Sequence, residues 1–283
     1  MEGSTRKMAK AVLLIPYLGD FPPWFDLFLL SCSRNPDYRF IIYTDKPPEH
    51  CPRYENVEFR ELRLDELHGR LTELVDFEIP PLTSAYKLCD YRPAFGELFS
   101  DDLRGEAFWG HADIDVVWGR LDRFLTSESF ENDIISGHAT RLCGPFTLYR
   151  NTPTINALYK RASGLSDIFR DVSNYRGFDE LILFDLAKTA EANGEMRLAL
   201  GIGSHGHSES RATYSYLDGR ILRDRDLKEM ARQAVRKAVG LQDDRERMFF
   251  HFRTWKSGMI FDFDPAKVRG WQLRADRLLP IMR

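Results

Sequence analysis

Two short, uninterrupted apolar runs near the start of the chain, Ala11–Pro16 (AVLLIP) and Arg39–Thr44 (RFIIYT), constrain its fold more than any other feature. A strand with one face in water alternates apolar and polar residues, so a run without alternation needs cover on both faces. Parallel sheets with helices packed on either side supply that cover. Between the two runs lies Trp24–Cys32, nearly continuously apolar and of helix length, and after them Asn56–Leu62 alternates like a third strand. This β-α-β-β order predicts an open, largely parallel α/β sheet flanked by helices. Ligands of such sheets bind beyond the carboxyl ends of the strands, where Tyr17, Asp45 and Asp113 all fall.

Further along, Leu64–Val75 reads as a surface helix, and Ser84–Ser100 as a helical stretch interrupted by Pro93. Asp133–Ser136 and Phe146–Tyr149 read as strands, and Thr152–Arg161 and Leu181–Ala190 as helices. Tyr214–Leu222 fits a hairpin around Asp218-Gly219, Leu227–Val239 a charged amphipathic helix, and Met248–Phe252 a late strand. With no internal repeat or low-complexity tract, residues 11–283 are expected to form a single domain behind a disordered leader, residues 1–10. A net charge of −3 offers no general attraction for nucleic acid. No segment reaches the roughly 18 apolar residues of a membrane span, and the opening MEGSTRKMAK lacks a signal peptide's apolar core. A cytoplasmic protein is expected, with peripheral membrane association left open. Cys32, Cys51, Cys89 and Cys143 are too widely spread for a C-x-x-C site and are expected as free thiols.

The chemistry concentrates in Ala107–Trp118, AFWGHADIDVVW, where Asp113 and Asp115 sit between two apolar runs. Ionised carboxylates in such surroundings need a cation or a basic partner. On an extended segment the i, i+2 spacing points both to one face, and oxygen ligands suit Mg²⁺ or Mn²⁺ holding a substrate diphosphate. The alternative is a sharp corner in which one Asp accepts backbone hydrogen bonds. Upstream, Lys87 and Asp90 are i, i+3 neighbours: either a helical ion pair or groups reaching a ribose or phosphate. Phe178-Asp179-Glu180 opens a helix, where an acid caps the N-terminus or stands beside a substrate. The Gly201–His207 segment (GIGSHGH) reads as a flexible loop or as a phosphate or metal site through His205 and His207. It is no P-loop, and no G-x-S-x-G elbow occurs in the chain.

In their order, SAYKLCDYRPAFGELF, FWGHADIDVVWGRL, GPFTLYRN and FFHFRTWKSG resemble a bacterial glycosyltransferase-like family of the A-type, D-x-D fold. More distantly they are similar to the glycogenin and lipopolysaccharide galactosyltransferase group. The resemblance covers most of Ala11–Met259. It implies a Rossmann-like nucleotide-binding half (11–119) and an acceptor and donor-sugar half (120–283). It also implies transfer of a sugar from a UDP- or GDP-sugar to a glycan or lipid-linked saccharide in bacterial surface polysaccharide synthesis, with retention of configuration. Carried over by position, Asp113, Asp115 and His251 would bind Mn²⁺ or Mg²⁺. Lys256 would contact the diphosphate, although Thr254 stands where that group has Gly. Tyr17 and Asp45 would meet the nucleobase or ribose, and Lys87 and Asp90 the nucleotide. Asp179 and Glu180 would be the catalytic acids, and Arg150 and Asn151 candidate sugar contacts, a strand end turning into a helix explaining the last two equally well. The rival readings are a sugar-1-phosphate nucleotidyltransferase and a non-catalytic nucleotide- or glycan-binding domain. The loop YLGDFPPW, with one Gly and no Lys or Arg, lacks the basic loop of the former.

Overall fold

The computed structural model describes residues 8–48, 51–83, 85–203, 205–207, 214–223, 246–252, 270–273 and 278–280. Its contacts sort the chain into two compact units, each drawn from separate stretches of sequence. One comprises Met1–Phe21, Pro36–Asp113 and Ser127–Ile202; the other comprises Pro22–Asn35, Ile114–Thr126 and Gly203–Arg283.

The first unit is built on a seven-stranded sheet. From edge to edge its strands are Val57–Glu61, Tyr38–Thr44, Ala11–Pro16, Phe108–Ala112, Phe146–Arg150, Ile134–Ser136 and Leu198–Leu200. The first four are mutually parallel, as are the last two, and Phe146–Arg150 runs antiparallel to both its neighbours. The sheet is therefore largely parallel, as the apolar runs require. Every residue of Tyr38–Thr44 is buried, whereas the edge strand Val57–Glu61 buries only Val57. Helix Leu64–Glu73 buries Leu67 and Leu71, and helix Leu183–Ala192 buries Leu183, Ala187 and Ala190, the spacing of a single apolar face. Those faces share one core with Val12, Leu14, Ile41 and Trp109.

In the second unit helix Phe25–Ser33 belongs with two smaller sheets. Glu246–Arg247, Arg220–Arg223, Tyr214–Leu217, Gly270–Leu273 and Leu278–Pro280 form the larger; Val116–Trp118, Phe249–His251 and His205–His207 form the smaller. The expected hairpin is present, and its turn places Asp218 at φ 51° and Gly219 at φ 79°, the positive pair that a two-residue type I′ turn needs. Trp24, Leu27, Val117, Phe250, Phe252 and Trp271 are members of this unit's own core.

Four differences from the sequence reading matter for function. Where a helical stretch broken once was expected, residues 85–98 are a relay of short turns: Ala85–Lys87, Leu88–Tyr91, Arg92–Ala94 and Phe95–Leu98. Pro93 supplies no N–H to the ladder, and Gly96 packs so closely on Trp109 and Asn156 that a Cβ there would lie 2.7 Å from both. Second, Ala107–Trp118 is two strands: Phe108–Ala112 is central in the seven-stranded sheet, and Val116–Trp118 pairs antiparallel with Phe249–His251. Asp113, Ile114 and Asp115 form the bend between them, so strand alternation does not set where the two carboxylates point. Third, the segment opening at Phe178 is a π-helical turn, Phe178–Ile182, before the α-helix begins. Gly201–His207 ends in a strand instead of remaining a loop throughout. The expected helix Leu227–Val239, the contact Lys256 and most of the leader lie outside the described residues.

Candidate active site

The carboxyl ends of three adjacent parallel strands, Ala11–Pro16, Tyr38–Thr44 and Phe108–Ala112, are followed at once by Tyr17, Asp45 and Asp113. The backbone N–H of Tyr17 donates to Tyr43 (2.7 Å), and Gly19 N–H donates to the Asp45 carboxylate (2.7 Å), so Asp45 ties down the loop after the first strand. The Tyr17 ring stacks on Phe21 at 5.3 Å, and Phe21 meets Phe59 edge-on at 6.5 Å. This aromatic ladder at the strand ends joins residues far apart in sequence, which is why Phe21 and Phe59 escaped the sequence reading.

Arg92 is the hub of the first unit's site. Its guanidinium pairs with Asp113, and it donates to Asp179 Oδ2 (3.0 Å) and to the Gly144 carbonyl (3.0 Å). The Tyr175 hydroxyl donates to the other Asp179 oxygen at 2.8 Å. Both oxygens of Asp179 are thus engaged, and the carboxyl is buried. Burial pushes its pKa up to about 6 against the pull of Arg92 and the Tyr175 hydrogen bond, with Glu180 adding to the rise. Burial also holds the His111 imidazole well below its ordinary value, with the Arg92 charge acting in the same direction, so His111 is neutral. Glu180 lies 3.7 Å from Arg141 and close over Gly144, whose missing Cβ leaves the carboxylate its place. Arg92 stood in the sequence beside Lys87 and Asp90 without a role; its partners lie 21 and 87 residues away.

Lys87 and Asp90 are 1% and 0% exposed, so they are neither a solvated surface pair nor open to a ligand. Lys87 Nζ donates to Asp90 (2.7 Å) and to the carbonyls of Ile168 (2.8 Å) and Asn174 (3.1 Å). Asp90 also accepts from the backbone N–H groups of Arg176 (2.8 Å) and Phe178 (2.9 Å). The pair fastens the loop before Asp179. Arg150 and Asn151 are removed from the site by register. Arg150 pairs with Phe108, at the opposite end of that strand from Asp113. There it bonds Asp133 at 2.8 Å, while Asn151 holds the Leu103 and Glu106 carbonyls at 2.9 Å. A strand end was visible in the sequence; that it ran antiparallel was not.

In the second unit, His251 Nε2 lies 3.3 Å from Asp115 Oδ2, and both side chains are largely buried. Strand pairing sets this meeting: His251 is opposite Val116, and Phe252 N–H donates to the Asp115 carbonyl at 2.8 Å. Trp24 Nε1 donates to the Ile114 carbonyl at 3.2 Å and steadies the bend. A carboxylate and an imidazole in contact are donors that Mn²⁺ accepts readily, Mg²⁺ preferring the carboxylate oxygens.

No curated protein matches the chain. Among solved structures it is similar to a provisionally assigned nucleotide-diphospho-sugar transferase from Desulfovibrio desulfuricans G20, at 10% identity and a TM-score of 0.33, over 68% of this chain and 80% of that one. It is also similar to mouse xyloside xylosyltransferase 1 in its apo form, at 10% identity and a TM-score of 0.43, over 87% of this chain and 98% of that one. Likenesses of this size leave the functional reading to the chain's own residues. No helix among the described residues is long and apolar enough to cross a membrane. A model of a family of unknown function, DUF6625, matches residues 13–262, and the chain belongs to that family.

Proposed function

We propose that the chain is a metal-dependent glycosyltransferase that moves a sugar from a UDP- or GDP-sugar to a glycan or lipid-linked saccharide. The observation that carries this reading is the pairing of Asp115 with His251, brought together from distant parts of the sequence by one strand pair. The motif order adds the carboxylate of Asp113, two residues before Asp115, to the groups proposed to hold a divalent ion. Bound there, Mn²⁺ or Mg²⁺ would neutralise the departing diphosphate. The order of motifs supports the same assignment and, with it, a role in bacterial surface polysaccharide synthesis in the cytoplasm.

Within the first unit, Tyr17 and Asp45 are the groups proposed to meet the base and ribose. Arg92 is the basic group that carries charge toward the sugar. Asp179 fits a sugar-shaping role better than that of a base, because Arg92 and Tyr175 already occupy its two oxygens. A reaction that retains the anomeric configuration, which can dispense with a well-placed base, agrees with that arrangement.

Calorimetric titration with UDP and GDP, in Mn²⁺ or Mg²⁺ and again with chelator, tests the proposal. Binding should require the metal, and Asp115→Asn should abolish the dependence. Equal affinity with and without chelator would overturn it.

A further inference from the structure

Single exposed apolar side chains are ordinary, whereas exposed rings in mutual contact form a patch. Tyr86 and Tyr175, both in the first unit, are 66% and 36% exposed and meet edge-to-face, with ring centroids 5.4 Å apart and an interplanar angle of 68°. Tyr86 lies next to Lys87 on a tight turn, and Lys87 is anchored inward. Lys87 grips the carbonyl of Asn174, immediately before Tyr175, while Asp90 grips the N–H of Arg176, immediately after it. The Tyr175 hydroxyl is fixed by Asp179. The buried pair that the sequence singled out therefore joins the segment bearing one ring to the segment bearing the other.

On the segment that carries Tyr175, the polar side chains are ordered by one another. Asp171 accepts from Ser173 Oγ (3.0 Å) and Asn174 Nδ2 (3.0 Å) and pairs with Arg176 (3.1 Å). An exposed aromatic corner of this kind matches a pyranose. The weakly positive C–H face of a pyranose rests on the negative face of a ring, and its equatorial hydroxyls reach outward to polar groups. A nucleobase, flat on both sides, favours a parallel slot, which two rings at 68° do not make.

We infer that Tyr86 and Tyr175 form a saccharide-stacking subsite that receives a pyranose ring of the acceptor beside Asp179. This rests on the glycosyl-transfer reading, and its test is independent of the nucleotide and metal titration. Saturation-transfer NMR would use a panel of α- and β-methyl glycosides of hexoses and pentoses, with uridine as the competing occupant, on wild-type protein, Tyr86→Ala and Tyr86→Trp. The exposed position of Tyr86 allows both variants to fold. At least one glycoside should receive saturation strongest at its ring C–H protons. Tyr86→Ala should weaken that binding by about threefold or more, and Tyr86→Trp should restore it. Absence of transfer to every glycoside, equal affinity in Tyr86→Ala, or loss restored only for uridine would overturn the subsite. A wild-type protein that binds a glycoside here but no nucleotide with metal would overturn the transferase reading and leave the saccharide site standing.

Discussion

Replacing Asp90 with Ala isolates the energetics of the buried fastener. The substitution leaves the Lys87 ammonium in a 1% exposed position with only two neutral acceptors, the carbonyls of Ile168 and Asn174. It also strips the backbone N–H groups of Arg176 and Phe178 of their acceptor. Breaking a buried ion pair by removing one partner costs about 3–5 kcal/mol. The orphaned N–H groups belong to the same disruption, so their penalty of about 1–3 kcal/mol each overlaps with that figure rather than adding to it. Lys87→Met should fall toward the lower end, because the Asp90 carboxylate keeps two backbone donors. The double variant removes both charges, so it should cost clearly less than the sum of the singles, with a coupling of about 1–3 kcal/mol. Urea unfolding followed by tryptophan fluorescence measures all three. For a unit of this size the Asp90→Ala loss corresponds to a fall in Tm of about 6–20 °C. A cost below about 1 kcal/mol, or singles that simply add, would refute the view that Lys87 and Asp90 act as one buried structural unit.

Two further outcomes follow from the first unit. A Cβ added at Gly110 would stand 2.4 Å from the Thr147 carbonyl oxygen and 2.6 Å from a Leu148 methyl. Gly110→Ala should therefore cost about 1–3 kcal/mol by forcing two strands apart, and an unchanged Tm would show that the sheet yields there. The Asp179 carboxyl, raised to about 6 from an ordinary 3.8, holds its proton in the folded state where the unfolded chain has lost it. Its stabilising contribution is thus complete below about pH 4 and disappears as pH rises through about 6. In chelator, the stability of the wild type relative to Asp179→Asn should fall across that window, and a flat or rising difference in denaturant titrations would contradict the assignment.

The parts of this molecule that were legible in its sequence are those decided by local pattern. AVLLIP and RFIIYT read as doubly covered strands, and Asp218-Gly219 fitted a hairpin turn. Asp115 and His251 were singled out by motif order, and strand pairing brings them together. What stayed hidden depends on contacts between distant residues. Arg92 gains its meaning from Asp179, 87 positions away, and Lys87 and Asp90 from the loop after Ile168. Neither partner leaves a trace in the residues nearby. Arg150 misled because a strand's sequence does not state its direction, and direction alone moved it to the far end of the sheet.

The interleaving of the two units constrains how the chain can be made. The polypeptide leaves the first unit at Phe21, returns at Pro36, leaves again at Asp113, returns at Ser127 and departs at Ile202. At a ribosome adding about 5–20 residues each second, helix Phe25–Ser33 and strand Val116–Trp118 emerge well before their companion Phe249–His251. Apolar side chains such as Trp24, Val117 and Trp118 must wait through that interval for their native cover, an opening for chaperones to bind. A single cut cannot excise either unit. Truncation before Phe249 should yield a chain that aggregates, whereas paired cuts at the crossings would be needed to recover the seven-stranded sheet alone.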